Sequence, residues 1–431
     1  MNLARLNHIL IPATKSERDR LRRTRFGRIV SDPVTKTYYA LSREGRALFV
    51  FTAIAGFAGL DVMRSQNSTL WALLFSLIVA SLAVRRLFGL RGVAIGVVGP
   101  ERVMAGEEAR FEVCLENRSD RARHSIRLDG PFLPWDGSWR APAPSIQDLP
   151  PGESRRATLV ARFDARGAHE IDSFSASALV PLRLALGPRL WSTGTRFVVV
   201  PRMANVRALE LATSPRYQPG GVALASQSGE SMELVGVRPY RDGDRIRDLH
   251  AKTWARTGDP AVREYHQEYF SRVGVVLDTD RTHASEDQLE AGVSLAAGVI
   301  ARLSRGEALI DVLVTGDQLH PLTLGRSLGT LDQALDHLAC VEAGPMLDSM
   351  RITSLLNPYL SRLSSLIFIS LGWDGERSSL ARAIEQTGVG CRTLGVLEPR
   401  RDGGQVPPGF VRVLKVDEIR AACESDRGLE L

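Results

Sequence analysis

Two long apolar runs lie near the start of the chain, at 47–63 and 69–84, divided by the polar stretch Arg64-Ser65-Gln66-Asn67-Ser68. Each is at the short end of what spans a bilayer, about 17–25 residues. Arg46, Arg85 and Arg86 flank the runs and can extend their reach to the headgroups, and Trp71 suits a membrane interface. Asp61, near one end, is the sole charge inside either run before Arg64. The pattern predicts a transmembrane helical hairpin over 47–88, with a helical hairpin buried in a water-soluble domain as the alternative. A cleavable signal peptide is not expected, because the apolar run begins late and a second follows it.

Beyond the hairpin the period changes. From 92 to 202 short segments alternate apolar and polar residues, as in Phe111-Glu112-Val113-Cys114-Leu115-Glu116 and again at 157–163. Turn chemistry separates them, such as Pro150-Pro151-Gly152-Glu153. Strands at this spacing predict an immunoglobulin-like β-sandwich that carries no catalytic constellation. From 273 onward, apolar runs at 273–277, 309–314, 366–369 and 393–397 read as buried parallel strands. Helical patterns at 286–303, 331–338 and 376–386 alternate with them. This predicts a doubly wound α/β domain over 273–431, with ligands expected beyond the carboxyl ends of its strands. The first such end reads Leu277-Asp278-Thr279-Asp280-Arg281-Thr282.

Charge sharpens the membrane reading. The 431-residue chain has a formal net charge of +6, which by itself would invite a nucleic-acid partner. Residues 1–46 hold 11 Lys and Arg against 4 Asp and Glu, while the remaining 385 residues hold 44 against 45. The excess therefore belongs to one tail. With basic residues also following the second run, the positive-inside bias predicts that both ends of the hairpin are cytoplasmic. The tail can act purely as a topology signal or rest on an anionic membrane surface. A mean hydropathy of −0.07 excludes a polytopic transporter. Four widely spaced cysteines, Cys114, Cys340, Cys391 and Cys423, fit a reducing compartment better than a disulfide framework or a zinc site.

Between the two predicted domains, over 203–272, lies Gly229-Glu230-Ser231-Met232-Glu233-Leu234-Val235-Gly236-Val237-Arg238-Pro239-Tyr240-Arg241-Asp242-Gly243-Asp244-Arg245-Ile246-Arg247-Asp248-Leu249-His250. It continues through Lys252, Ala255-Arg256-Thr257, Val262-Arg263-Glu264-Tyr265 and Glu268. This ordered series resembles the bacterial domain-of-unknown-function 58 family. Asn117-Arg118-Ser119, Pro150-Pro151-Gly152-Glu153-Ser154 and Val200-Pro201-Arg202 fall where that family's β domain has similar residues. One departure is that Leu249-His250-Ala251 stands where the family usually has Trp after Ile-His or Ile-Asp, with Trp254 three positions later. The resemblance implies a membrane hairpin, a β domain and a von Willebrand A-like domain. It further implies work with a MoxR-type AAA ATPase in the assembly or maturation of other protein complexes. Asp242-Gly243 predicts a turn. Arg238, Arg241, Arg245, Arg247 and Arg256 against Asp242, Asp244, Asp248, Glu264 and Glu268 predict an ion-pair lattice, or else a face that grips an acidic partner or phosphate. Arg238, Tyr240, Arg241, Asp244, Arg247, Arg256 and Glu264 are the candidate partner-binding residues. Without aromatic interleaving, the basic residues make a poor nucleic-acid platform, and none is expected as a partner.

A von Willebrand A domain can hold Mg²⁺ at Asp-x-Ser-x-Ser after its first strand. By position this chain offers Asp278, Asp280 and Thr282, then Thr330 from a later loop, all oxygen donors suited to a hard cation. The later Asp is displaced, since Leu371 follows Ile369-Ser370 and Asp374 comes three residues on. The same first segment also resembles the Asp-x-Asp-x-Thr motif of haloacid-dehalogenase-like phosphatases, with Asp278 as nucleophile and Asp280 as general acid/base. Lys415, the one lysine after that strand, lies outside any matching context, and no Asp-Asp pair follows Ser370. The expectation is therefore a non-enzymatic scaffold or adaptor in the bacterial cytoplasmic membrane, multi-pass with both termini cytoplasmic, and a degenerate metal-dependent contact site. The Mg-dependent phosphatase is the alternative.

Overall fold

The computed structural model describes residues 39–58, 65–142, 144–211, 234–244, 246–265, 272–280, 284–306, 308–315, 320–325, 330–344, 348–398, 411–425 and 428–431. Most of the basic tail, and Arg245, Glu268 and Thr282, lie outside them. The chain is a mixed α/β protein with several sheets, dividing into two compact units at Val199/Val200.

The first unit begins with helices α1 (Arg43–Ala58) and α2 (Ser65–Val84). Gly56 of α1 lies against Trp71 of α2, close enough that a Cβ would come within 2.7 Å of the indole nitrogen. The pair leaves Phe49, Phe51, Ile54, Phe57, Leu70, Leu73 and Phe75 exposed, with Phe57 82% accessible. Among the described residues one helix, Ser68–Leu87, is long and apolar enough to cross a membrane. The 20 residues of α2 make a rod of about 30 Å, the thickness of a hydrocarbon core. The 16 residues of α1 fall short of that, and the rest of the first run, 59–63, lies outside the described residues.

The base of this hairpin is joined to the β domain by backbone. Ser42 N–H donates to the Leu184 carbonyl at 3.0 Å, and Leu186 N–H donates to the Ala40 carbonyl at 2.7 Å. Gly45 and Gly187 leave room for the Leu184 and Phe88 carbonyls, where a side chain would collide.

The β domain runs from Val93 to Val200. One four-stranded sheet takes the order Val93–Val98, Glu108–Asn117, Ser154–Phe163, Gly137–Trp139. A second takes Leu190–Trp191, Ser175–Ala178, Arg123–Asp129, Ser145–Leu149, and a three-stranded sheet takes Arg102–Met104, Thr195–Val200, Gly167–Ile171. The alternation seen in the sequence becomes register: Phe111 opposes Leu159 and Val113 opposes Ala157, and all except the half-buried Ala157 are buried. The core they enter is shared by all three sheets, and its rings stack edge on, as in Phe163–Phe197 at 5.0 Å. Asn117 and the Pro150–Glu153 turn, far apart in sequence, meet here. The buried Asn117 amide donates to the carbonyls of Arg121, Leu149 and Pro150 at 2.9, 3.0 and 3.1 Å, while Gly152, at φ +74°, donates to the Asn117 carbonyl.

In the second unit six strands form one sheet: β1 (Arg272–Leu277), β2 (Leu309–Val314), β3 (His320–Leu324), β4 (Ser365–Leu371), β5 (Gly390–Leu397) and β6 (Val411–Lys415). Their order is β3-β2-β1-β4-β5-β6, parallel throughout except for β3, which runs antiparallel to β2. The helices are α3 (Ala251–Thr257), α4 (Glu286–Leu303), α5 (Leu331–Ala339), α6 (Ser349–Leu360), α7 (Gly375–Gln386) and α8 (Val416–Glu424). Inside the apolar run of β2, Asp311 is buried but paired: Arg272 grips both its oxygens at 2.6 and 3.0 Å, and Thr323 donates to it. That ties β1, β2 and β3 together at one end. Val206–Ala208 also belongs to this unit, pairing in parallel with Leu429–Glu430.

Candidate functional site

Strand order reverses between β1 and β4, and in a doubly wound sheet the cleft at the carboxyl ends of such strands is where ligands collect. Asp278, Thr279 and Asp280 leave β1 at this point, all buried. The chain is pinned there from several sides. Thr279 N–H donates to Thr315 Oγ1 at 3.1 Å, and Gly344 N–H donates to the Thr279 carbonyl at 2.8 Å. Asp278 Oδ1 accepts from Asp280 N–H at 2.9 Å, and its Oδ2 accepts from Leu371 N–H of β4 at 3.0 Å.

The centre of the cluster is occupied by Arg377, from the first turn of α7, with 0% of its surface exposed. Its Nε donates to Asp278 Oδ2 at 2.8 Å, Nη2 to Asp280 Oδ2 at 3.3 Å, and Nη1 to Asp374 Oδ2. Asp374 has a second duty as the amino-terminal cap of α7, accepting from Arg377 N–H at 2.9 Å. A cation in the first turn of a helix opposes the helix dipole and is unfavourable unless anions surround it. Three carboxylates do so here. Desolvation alone would lower the Arg377 pKa, but Asp278, Asp374 and Asp280 outweigh it and hold the guanidinium above its ordinary value. Burial pushes the Asp278 carboxyl up, against the pull of Arg377 and the two backbone donors.

The expected metal residues are thus partly brought together and partly not. Asp278 and Asp280 converge, and the displaced Asp374 joins them. Thr330 is exposed, and its hydroxyl caps α5 in a reciprocal pair with Gln333, accepting at 3.4 Å while Gln333 accepts from Thr330 N–H at 3.1 Å. Thr282 lies outside the described residues. A divalent cation does not fit this arrangement, because the guanidinium fills the space between the carboxylates and draws on the oxygens a metal would need. No group of three or more His, Cys, Asp or Glu is placed to hold a metal among the described residues. Asp278 as a phosphatase nucleophile meets the same obstacle, since it is fully buried and both of its oxygens already accept hydrogen bonds. Nor does a thiol offer itself at β5: burial pushes Cys391 up to about 12. Arg377 was not among the residues expected from sequence. The available signal was an arginine three positions after an Asp that begins a helix, where a cation needs a reason to be.

The second group of candidates lies on Leu234–Pro239 and Ala261–Tyr265, which pair antiparallel, and on the segment between them. Arg238 holds Asp244 in a two-pronged pair, both bonds at 2.7 Å, and Asp244 also accepts from Arg241 N–H at 2.8 Å. The Arg238 guanidinium, with that amide, holds the Asp244 carboxyl below its ordinary value. Gly243, at φ +102°, closes the turn. His250 then caps α3, and Gly258, at φ +84°, ends it. Of the expected lattice, the described residues show Arg238–Asp244 and a looser Arg247–Asp248 contact at 3.9 Å. Arg241, Arg247 and Arg256 are exposed and Tyr240 is half-buried, while the Glu264 side chain lies outside the described residues. What periodicity did not reveal is that two large apolar side chains of this arginine-rich segment are exposed: Ile246 at 77% and Trp254 at 44%.

No protein-family model matches this chain, and no curated protein sequence matches it. Among solved structures, part of Escherichia coli alpha-2-macroglobulin (domain MG7 to the C-terminus) aligns with 28% of this chain at 15% identity and a TM-score of 0.22, and the aligned part is 20% of that chain. The CARDB domain of a Pyrococcus furiosus protein aligns with 25% of this chain at 15% identity and a TM-score of 0.18, over 87% of its own length. Proximal thread matrix protein 1 of the mussel byssus aligns with 36% of this chain at 8% identity and a TM-score of 0.27, over 45% of its own length. Likeness at this level carries no argument about fold or function.

Proposed function

We propose that this protein is a membrane-anchored adaptor of the domain-of-unknown-function 58 type, which binds a MoxR-type AAA ATPase through a metal-independent protein surface. The observation that carries the reading is that Ile246, Trp254, Arg241, Arg247 and Arg256 are all exposed on one short segment, whose turn is fixed by Arg238 and Asp244. Tryptophan and arginine are the residue types that most often dominate binding at protein interfaces. A partner with an apolar pocket rimmed by acidic residues matches that chemistry.

The rest of the chain supplies the platform. Sheet order β3-β2-β1-β4-β5-β6 with an antiparallel β3 resembles a von Willebrand A-like domain, and the layered β domain resembles an immunoglobulin-like sandwich. The cation that a metal-dependent adhesion site would recruit is supplied here by Arg377, so Asp278 and Asp280 support the sheet crown without presenting a metal. The apolar faces of α1 and α2, exposed along most of their length, favour the hairpin spanning the bacterial cytoplasmic membrane with both ends cytoplasmic. Two experiments test this. Full-length protein should stay in the membrane pellet after alkaline carbonate washing, and its release would remove the anchor. In lipid nanodiscs it should capture the purified MoxR-type ATPase of the same genome. Capture that persists in the Ile246→Ala/Trp254→Ala double variant would assign the contact elsewhere.

A further inference from the structure

The base of the hairpin carries side chains that the proposed partner surface does not use, with Arg46 donating to the Leu41 carbonyl at 3.3 Å and Arg189 to the Tyr39 carbonyl at 3.2 Å. Backbone hydrogen bonds at Leu184 and Leu186 fix the start of α1 to the β domain, so residues 181–183 lie beside the point where the hairpin leaves that domain. Ser42 Oγ donates to the Arg183 carbonyl, which ties that turn directly to the helix start. Leu182 and Arg183 are consecutive non-glycine residues in the left-handed region, at φ +67° and +58°. Such backbone persists where its surroundings impose it, and it clusters at functional positions. Here it holds a leucine outward with 67% of its surface exposed, so burial within the chain does not account for it.

A ladder of alternating rings and guanidinium groups continues from this turn. Arg46 lies over the Tyr39 ring at 6.0 Å, and Arg189 lies 5.6 Å from the centroids of both Tyr39 and Trp191. Trp191 is 55% exposed and Tyr39 is also exposed. Tryptophan and tyrosine favour the headgroup level of a bilayer, and arginine pairs readily with phosphate. An exposed leucine beside them can reach the acyl boundary.

We infer that this foot of the β domain, formed by Tyr39, Arg46, Leu182, Arg183, Arg189 and Trp191, is a phospholipid-headgroup contact that seats the domain on the membrane its own hairpin spans. The inference rests on the membrane reading of α1 and α2, and it adds that the domain lies against the bilayer instead of standing off on a stalk. The surface lies at the foot of the apolar hairpin, and Arg46, Arg183 and Arg189 suit a phosphodiester layer, with Glu44 near Arg183 and Asp129 near Arg189 as the acidic neighbours.

The test uses full-length protein in nanodiscs of phosphatidylcholine and phosphatidylglycerol. Nitroxide is placed on the headgroup in one preparation and bromine at mid acyl chain in another. The emission of Trp191 is read as the difference between wild type and Trp191→Phe, and that of Trp71 as the difference between wild type and Trp71→Phe. Headgroup nitroxide should quench the Trp191 emission by more than half, and acyl bromine should quench Trp71. The double variant Leu182→Ser/Arg183→Ser should reduce quenching at Trp191 and leave Trp71 unchanged. Unquenched Trp191 beside quenched Trp71 would overturn the headgroup contact while keeping the anchor. If Trp71 also escapes quenching, the anchor and this inference both fall.

Discussion

At the scale of single residues, Arg377 decides what the crown of the sheet can be. Removing one member of a buried ion cluster leaves the others uncompensated, at a cost of about 3–5 kcal/mol. Arg377→Ala should therefore destabilise the second unit by that amount in denaturant unfolding of the full-length protein in detergent. Arg377→Lys should not restore it, because a single ammonium cannot address three carboxylates in the geometry of a planar fork. With the cation built into the chain, adding EDTA or Mg²⁺ should leave the wild-type melting temperature unchanged, and a clear shift with either would return the site to metal chemistry. Asn117 is the corresponding residue in the β domain. Asn117→Ala strands the buried Leu149 carbonyl and its neighbours and should cost about 1–3 kcal/mol. Asp278 and Asp280 were legible from sequence as a converging pair, because acidic residues after a buried strand mark a sheet crown. Their partner was not, since Arg377 follows Asp280 by 97 positions and only the fold brings them together.

At the scale of elements, legibility followed the strength of the period. Strands β1 and β2 and helix α4 emerge from sequence almost to the residue, being long and apolar, and α4 also begins with the capping box of Ser285 and Gln288. Helix α6 escaped because Pro358 sits inside its last turn, and β3 because a short antiparallel edge strand leaves little alternation to read. In the β domain, Asp136 and His169 form a buried pair that periodicity could not reveal. Nε2 of His169 meets Asp136 at 2.8 Å, and Nδ1 meets the Gly167 carbonyl at 3.0 Å. A carbonyl oxygen and a carboxylate facing the two ring nitrogens favour the doubly protonated imidazole. Burial would lower its pKa, but Asp136 and the Gly167 carbonyl outweigh that and raise it above the ordinary value. A raised native pKa contributes stability that is fully present below the unfolded value, about 6.5, and is lost as pH rises through the native one. Unfolding free energy should thus fall as pH increases from about 6.5 upward, and His169→Phe should flatten that slope.

At the scale of the whole molecule, the charge distribution and the apolar runs bear on the same proposal. A tail with 11 basic residues precedes an apolar hairpin, and a nearly neutral body follows. That asymmetry fits the membrane anchor proposed above. The two helices were legible because their apolar runs are long and nearly free of charge, whereas the proposed partner residues were not, because two exposed apolar side chains in an arginine-rich segment have no period. The central claim is that this surface binds the ATPase without metal. The most direct test is the dissociation constant between full-length protein in lipid nanodiscs and the purified MoxR-type ATPase, measured for wild type, Ile246→Ala and Trp254→Ala. Each substitution should weaken binding at least tenfold, about 1.4 kcal/mol, while Arg110→Ala on the β domain should leave it unchanged. Equal affinity across all four proteins, or no binding by wild type, would contradict the account.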